Sequence, residues 1–468
     1  MNKDMSYAAV LARKGDIIKA ATGTDFEEFE EGGLAFDYEK LLGSAGYDIE
    51  AVRAIQAEVS VGSTPIIELR NLTELARKFA PKGKGARIFI KDEAANPSGS
   101  FKDRRAAIAV YHAKKAGYKG VIAATSGNFG AAVASQAAMR GLKCIIVQEC
   151  YDSHMTGQPE IIEKARKCEA YGAEVVQTTV GPELFYQSLC LLEETGYFSA
   201  SLYSSFGIVG METLGFEIAN QLKERTGRHP DAVVCTNAGG GNVTGTARGL
   251  IKAGCNTSVI GASVNLAGLH MASDRDFNRK SFTTGHTGFG IPFATLPDRS
   301  DVPRSAARPL RYLDRYVTLS QGEVFYMTEL LASLEGLERG PAGNTSLAAA
   351  LVLAQEMDKD QIIIAQETEY TGAGKHFQPQ LHFAQNNGIE LVFGDPAEEV
   401  PGKNIILPKD PGFMRMSEVD LNYLRESLLK NLTKDYPGPV SKRDVEFLQE
   451  ETRLSETQVR KLIERILP

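Results

Sequence analysis

At 468 residues, with 52 basic and 59 acidic side chains and a formal net charge of −7, the chain is long enough to divide into two or more domains around sizeable cores. The mildly negative balance and the lack of any lysine–arginine block argue against nucleic acid or an anionic membrane as partner. No apolar stretch is long enough to span a bilayer, and Met1-Asn2-Lys3-Asp4-Met5 leads into no signal-peptide core, so a cytoplasmic enzyme is expected.

In chain order, residues 1–57 read as a charged helical extension, with the acidic run from Asp25 to Glu31 expected to be a solvated surface. Val61-Gly62-Ser63-Thr64-Pro65-Ile66 opens the main body. Short apolar runs then alternate with amphipathic stretches, the pattern of an α/β fold with mainly parallel sheets. Strands are predicted at 86–91, 120–124, 144–148, 174–178, 232–236, 258–263 and 361–366, with helices such as 103–116 and 128–140 between them. After Pro411 three helices are predicted, at about 417–432, 441–450 and 455–466, each led by a serine suited to N-capping. They show no basic face, so packing at a subunit interface is expected of them rather than nucleic-acid binding.

The six cysteines (Cys144, Cys150, Cys168, Cys190, Cys235 and Cys255) show no C-x-x-C spacing, and the histidines form no H-E-x-x-H, so neither disulfides nor a metal centre is expected.

Three segments carry chemistry when taken together: Ser98-Gly99-Ser100-Phe101-Lys102-Asp103-Arg104, Thr125-Ser126-Gly127-Asn128-Phe129-Gly130, and Asn237-Ala238-Gly239-Gly240-Gly241-Asn242-Val243-Thr244. A lysine that reacts as a free amine needs a partly buried site with small neighbours and a nearby cation, and Ser98, Gly99 and Ser100 leave room beside Lys102 for a flat cofactor. The apolar run 232–236 ends in glycines and leads into a helix start, so backbone amides there face an anion. No G-x-x-x-x-G-K-[ST] is present, and Gly239-x-Gly241 lacks the third glycine of a dinucleotide fingerprint, which disfavours a nucleotide. Thr125 to Asn128 offers amides and hydroxyls at another helix N-terminus. The glycine-rich stretch from Ser281 to Pro292 reads either as a surface loop or as a substrate lid in which His286, titrating near neutral pH, serves as acid or base.

The order and wording of these segments resemble the pyridoxal-phosphate enzymes of the tryptophan-synthase-β type, fold type II, and within them the threonine-synthase-like branch; Val61 to Ile66 resembles the "G-N-T-P-L" that opens their shared body. The resemblance runs from about residue 59 to 393. It implies pyridoxal 5′-phosphate as cofactor and two α/β domains: a large one from 58–100 plus 206–410 and a small mobile one from 101–205, flanked by helical extensions at 1–57 and 411–468. It further implies that Lys102 forms the Schiff base and shuttles protons, that Asn128 bonds the ring's 3-hydroxyl, and that Gly239, Gly240, Gly241, Asn242, Val243 and Thr244 hold the phosphate. Ser100, Thr125, Ser126, Gly127 and Asn128 are expected around the substrate carboxylate. The ring nitrogen is expected to face Thr368, with Glu367 as the alternative. A hydroxyl there leaves the pyridine unprotonated, whereas a carboxylate keeps it protonated.

Two stretches depart from that branch: the loop from Ser281 to Pro292, and Gly340-Pro341-Ala342-Gly343-Asn344-Thr345, which stands where dehydratases carry "E-P-x-G-A". With both terminal extensions, these departures resemble a group of coenzyme A-dependent thiolases within the fold. That resemblance implies thiolysis of 2-amino-4-oxopentanoate by coenzyme A to acetyl-CoA and alanine in ornithine breakdown, a small α subunit as partner, and a homodimer of β chains within a hetero-oligomer. Threonine synthase or an amino-acid ammonia-lyase is the alternative enzyme, and a non-catalytic subunit of the same fold the alternative from another class.

Overall fold

A computed structural model describes residues 3–267, 275–283, 301–370, 377–434, 436 and 438–466. Two sheets organise it. The larger has seven strands in the order β1 (Ile66–Glu68), β2 (Arg87–Asp92), β10 (Ile362–Glu367), β7 (Ala232–Thr236), β8 (Ser258–Val264), β9 (Arg315–Leu319) and β13 (Ser417–Glu418). Its five inner strands run parallel and only the edge strands β1 and β13 are antiparallel. The smaller sheet is all parallel, in the order β5 (Glu174–Thr179), β4 (Lys143–Tyr151), β3 (Gly120–Thr125) and β6 (Phe198–Ser199). A separate parallel pair, β11 (Glu390–Gly394) and β12 (Asn404–Pro408), completes the strands among the described residues.

The inner strands read as unbroken apolar runs because helices cover both faces. Ile362, Ile363, Ile364 and Ala365 of β10 are all fully buried, alternating between two separate apolar clusters. All seven predicted strands are present with ends shifted by a residue or a few, and the predicted helix 128–140 spans Asn128–Arg140. β1, β9, β11, β12 and the two-residue β6 and β13 went unread, being short or lacking an apolar run.

The terminal extensions correct the sequence reading. The N-terminal residues are not a solvated surface: within the acidic run Phe29 is buried, and with Phe36 and Tyr38 it joins an apolar cluster that includes Leu424, Leu428, Phe447 and Leu448 from the far end of the chain. The rings of Tyr38 and Phe447 stack with centroids 6.3 Å apart. Asp444 accepts hydrogen bonds from the Leu34 and Ala35 amides at 2.6 and 3.0 Å. The three C-terminal helices are Leu421–Thr433, Lys442–Thr452 and Glu456–Ile466; Ser441 caps the second, but Asp420 rather than Ser417 caps the first, because Ser417 is taken up by β13. Among the described residues no helix is long and apolar enough to cross a membrane.

Candidate active site

Parallel strands of both sheets point their carboxyl ends at one cavity, the usual ligand position in open α/β sheets. Thr125 closes β3, Glu149 lies late in β4, Thr236 ends β7, Ser263 lies late in β8 and Thr368 follows β10; all five line the cavity. Lys102 stands among them, at the start of helix Lys102–Lys115.

Two neighbouring structures hold Lys102 in place. The Phe101 amide donates to the Thr368 carbonyl at 3.0 Å and the Tyr370 amide to the Gly99 carbonyl at 2.8 Å, which joins the lysine loop to the chain beyond β10. Just after it, Arg104 is fully buried and pairs with Glu93 at 2.6 Å and Glu217 at 2.8 Å, while Lys91 also reaches Glu217 at 2.8 Å. Thr64, in the segment that opens the main body, donates to Glu93 at 2.6 Å. Removing one partner from such a network costs about 3–5 kcal/mol, so it rigidly anchors the first turn of the helix. Burial, followed by the charge of Arg105, pulls the Lys102 ammonium down to about 7, which brings a neutral amine within reach near physiological pH.

The glycine segment forms the start of helix Gly241–Lys252, and no side chain caps it. Gly240 has φ +82°, and a Cβ there would lie 2.5 Å from Pro309. A Cβ on Gly239 would strike Tyr203, and one on Gly241 would come 2.8 Å from the Arg105 guanidinium. The three glycines therefore line the cavity with backbone alone at a helix start, where a side chain would not fit. The C-terminal extension braces this floor: Glu451 pairs with Arg308, whose amide donates to Thr244 Oγ1 at 2.8 Å, and Thr244 in turn donates to the Gly240 carbonyl at 2.8 Å.

Of the residues singled out in the sequence, Lys102, Thr125, Ser126, Asn128, Gly239, Gly240, Gly241, Asn242 and Thr368 come together on the cavity wall. Others sit off it. Val243 packs in the apolar cluster with Phe89 and Val233, and the Thr244 hydroxyl is spent on Gly240 and Arg308. Ser100 is buried behind the lysine loop, and Gly127 contributes to the turn rather than to the wall. Glu367 ends β10 on the opposite side from Thr368: its carboxylate packs against Gly343, where a Cβ would collide with it, so the Gly340-to-Thr345 wording accommodates a buried acid. Neither Glu367 oxygen makes a hydrogen bond, and burial, with Asp92 nearby, raises this carboxyl well above the carboxylate range. His286 lies outside the described residues.

The wall residues missed by sequence reasoning include Arg105, Thr345 and Glu369. Arg105 follows the lysine motif; Thr345 lies in the first turns of helix Pro341–Glu356, with Oγ1 making no hydrogen bond; Glu369 lies two residues past β10, fully buried by its surroundings, with Oε1 unpaired and its carboxyl raised by burial. Only Glu369 had a signal in the sequence, an acid at a strand's carboxyl end.

This wall suits pyridoxal phosphate: an amine brought toward neutrality, a run of glycines at a helix start, and unsatisfied polar atoms on Arg105, Thr345 and Glu369 among the lining residues. The family model described as "Pyridoxal-phosphate dependent enzyme" matches residues 57–367. The chain is 68% identical, over all of both chains, to a 2-amino-4-ketopentanoate thiolase beta subunit of Acetoanaerobium sticklandii, and 32% identical to a threonine synthase of Bacillus sp. over 41% of this chain and 49% of that one. The solved structure of O-ureido-L-serine synthase superposes with a TM-score of 0.52 at 22% identity, covering 68% of this chain and 91% of that one, a likeness of fold. The chain belongs to the pyridoxal-phosphate dependent enzymes, in the family of the 2-amino-4-ketopentanoate thiolase β subunits.

Proposed function

We propose that this protein is the catalytic β subunit of a thiolase that splits 2-amino-4-oxopentanoate with coenzyme A into acetyl-CoA and alanine, working with a small α subunit, as a homodimer of β chains within the assembly. The observation that carries the reading is full-length identity of 68% to a β subunit of that name, where the threonine synthase match covers only 41% of the chain.

Bound in the cavity, pyridoxal phosphate supplies an electron sink for charge released at the substrate's α-carbon and, by conjugation, at its β-carbon. Lys102 would hold the cofactor covalently, and its freed amine would take the α-proton. Ser126 and Asn128 would orient the amino acid carboxylate, with Asn128 also serving the 3-hydroxyl. Gly239 to Asn242 would receive the phosphate, and Thr368 would serve the ring nitrogen. The coenzyme A thiolate attacks the C4 carbonyl, the C3–C4 bond breaks, the acetyl group leaves on sulfur, and its bonding electrons stay on C3. Lys102 and Glu369, whose carboxyl is raised by burial, return protons to C3 and C2 to give alanine. The chemistry requires no enzyme thiol: no cysteine is among the described residues that line the cavity, and burial pushes the Cys235 and Cys168 thiols up to about 12.

The deciding experiment offers 2-amino-4-oxopentanoate with coenzyme A, O-phosphohomoserine and threonine to the purified protein, alone and with a small partner subunit, and follows acetyl-CoA and alanine. Turnover of O-phosphohomoserine or threonine without any thiolysis would refute the proposal.

A further inference from the structure

Arg104 and Arg105 are adjacent and both buried, yet their surroundings are opposite. Arg104 meets two carboxylates, Glu93 and Glu217. Arg105, 2% exposed, meets none among the described residues: Nη1 donates to the Leu202 carbonyl at 3.2 Å, Nε has no acceptor there, and the guanidinium lies 5.7 Å over the Phe101 ring. A buried cation without a counter-charge is costly and persists where a ligand supplies the missing anion. Its position names the ligand's place, because the guanidinium lies on the cavity wall directly beside Gly241, so close that a Cβ there would touch it at 2.8 Å.

We propose that Arg105 is the charge partner of the anion received by Gly239 to Asn242, a dianionic phosphate monoester gripped jointly by the guanidinium and the uncapped helix start. This rests on the reading of those glycines as the phosphate cup. A guanidinium presents paired donors that suit two phosphate oxygens, and the helix start supplies amides from another side. A second consequence concerns the lysine. The Arg105 charge is, after burial, the largest influence lowering the Lys102 ammonium, and burial also pulls Arg105 itself down to about 10. The same cation therefore keeps Lys102 in its reactive form and, once an anion arrives, is neutralised by it.

The test measures binding to apo-protein of pyridoxal phosphate and of pyridoxal, which lacks the phosphate, together with thermal midpoints of the apo and loaded forms. Measured at a pH where the Lys102 amine is neutral in both proteins, Arg105→Gln should weaken pyridoxal phosphate binding about 10–100-fold while pyridoxal changes by less than about twofold, as expected for losing hydrogen bonds to a charged group. The apo-protein should melt no lower than the wild type, because an uncompensated charge has been removed, while the loaded form melts lower. Equal losses for both ligands, or an apo midpoint that falls as far as the loaded one, would show a structural role and overturn the proposal. Gly240→Ala distinguishes the two readings. If it abolishes the preference for the phosphorylated ligand and Arg105→Gln does not, the cup stands and the Arg105 assignment falls; if both variants keep the preference, both readings fall. Loss with Arg105→Gln alone refutes the glycine cup and with it the joint grip proposed here.

Discussion

The two strand–turn–helix corners that face each other across the cavity, Thr125 to Asn128 and Thr236 to Gly241, have the same architecture and opposite electrostatics. At the first, the Thr125 hydroxyl accepts the Gly127 and Gly130 amides at 2.9 and 3.1 Å and so satisfies part of the helix start from within. At the second, no side chain caps the helix, three glycines in a row clear the floor, and a guanidinium with no carboxylate partner among the described residues stands alongside. Helix N-termini attract anions by the same dipole, but what surrounds the terminus sets how much charge it takes. The self-capped corner suits a singly charged carboxylate that comes and goes; the bare, cationic corner suits a resident dianion.

Lys102 lies between the corners, and losing it tests the shared premise. Lys102→Ala should lower turnover by at least about 10³-fold, since it removes both the nucleophile and the proton carrier, and borohydride should no longer fix cofactor to the chain by mass spectrometry. Next in size is Gly241→Ala, which pushes Arg105 aside without an unfavourable backbone angle. We expect cofactor affinity to fall by about tenfold or more, with a chemical-denaturation midpoint close to wild type. A matching loss of stability would return this corner to a structural turn.

The opposite corner should respond in the opposite sense. Thr125→Val removes the internal cap and should cost about 1–2 kcal/mol of unfolding free energy, raising KM for the amino acid while cofactor affinity holds. Should cofactor affinity fall instead, the division of labour between the corners would be wrong. Titration offers a finer probe. Because the Lys102 amine is pulled down to about 7, its reactive neutral form grows as pH rises toward that value and is nearly complete above it. The rate of covalent cofactor attachment to the apo-protein should therefore climb about tenfold per pH unit below pH 7 and level off above, and Arg105→Gln should move the inflection to higher pH. Stopped-flow absorbance across pH 5.5–9 at about constant ionic strength reads it directly.

The smallest effect concerns the end of β10. Glu367 carries a carboxyl raised well above its usual range and no hydrogen bond, so Glu367→Gln, nearly isosteric with the protonated acid, should change stability by less than about 1 kcal/mol and leave turnover near wild type. Thr368→Ala, on the cavity side, should slow turnover with the cofactor still bound. A severe Glu367→Gln defect beside a benign Thr368→Ala would put the carboxylate, not the hydroxyl, at the ring nitrogen.

Local order in the chain was enough to read the seven main strands, the helix starting at Asn128 and the three cofactor-facing segments, because each rests on short-range rules: apolar runs for buried parallel strands, small residues and glycines where a helix start must lie bare. Those rules tell nothing about partners distant in sequence. Arg104 and Arg105 are indistinguishable in the sequence, and only the fold, which brings Glu93 and Glu217 to one and Gly241 to the other, gives them different work. Strand alternation separated Glu367 from Thr368 but could not say which side held the cavity until Gly343 was seen packed against the acid. The chain ends misled for the same reason. An acidic run reads as solvated by composition, yet Phe29 within it is buried in a cluster with residues more than 400 positions away, and the helix holding Asp444 and Glu451 ties the N-terminus and Arg308 to the glycine floor. The sequence by itself determined the fold class and singled out the lysine and the glycine segment that line the cavity, since backbone geometry and side-chain size are local properties. The tertiary structure decided which charges are paired, which face of a strand is wet and what braces the site, since these depend on burial and on groups that only folding brings together.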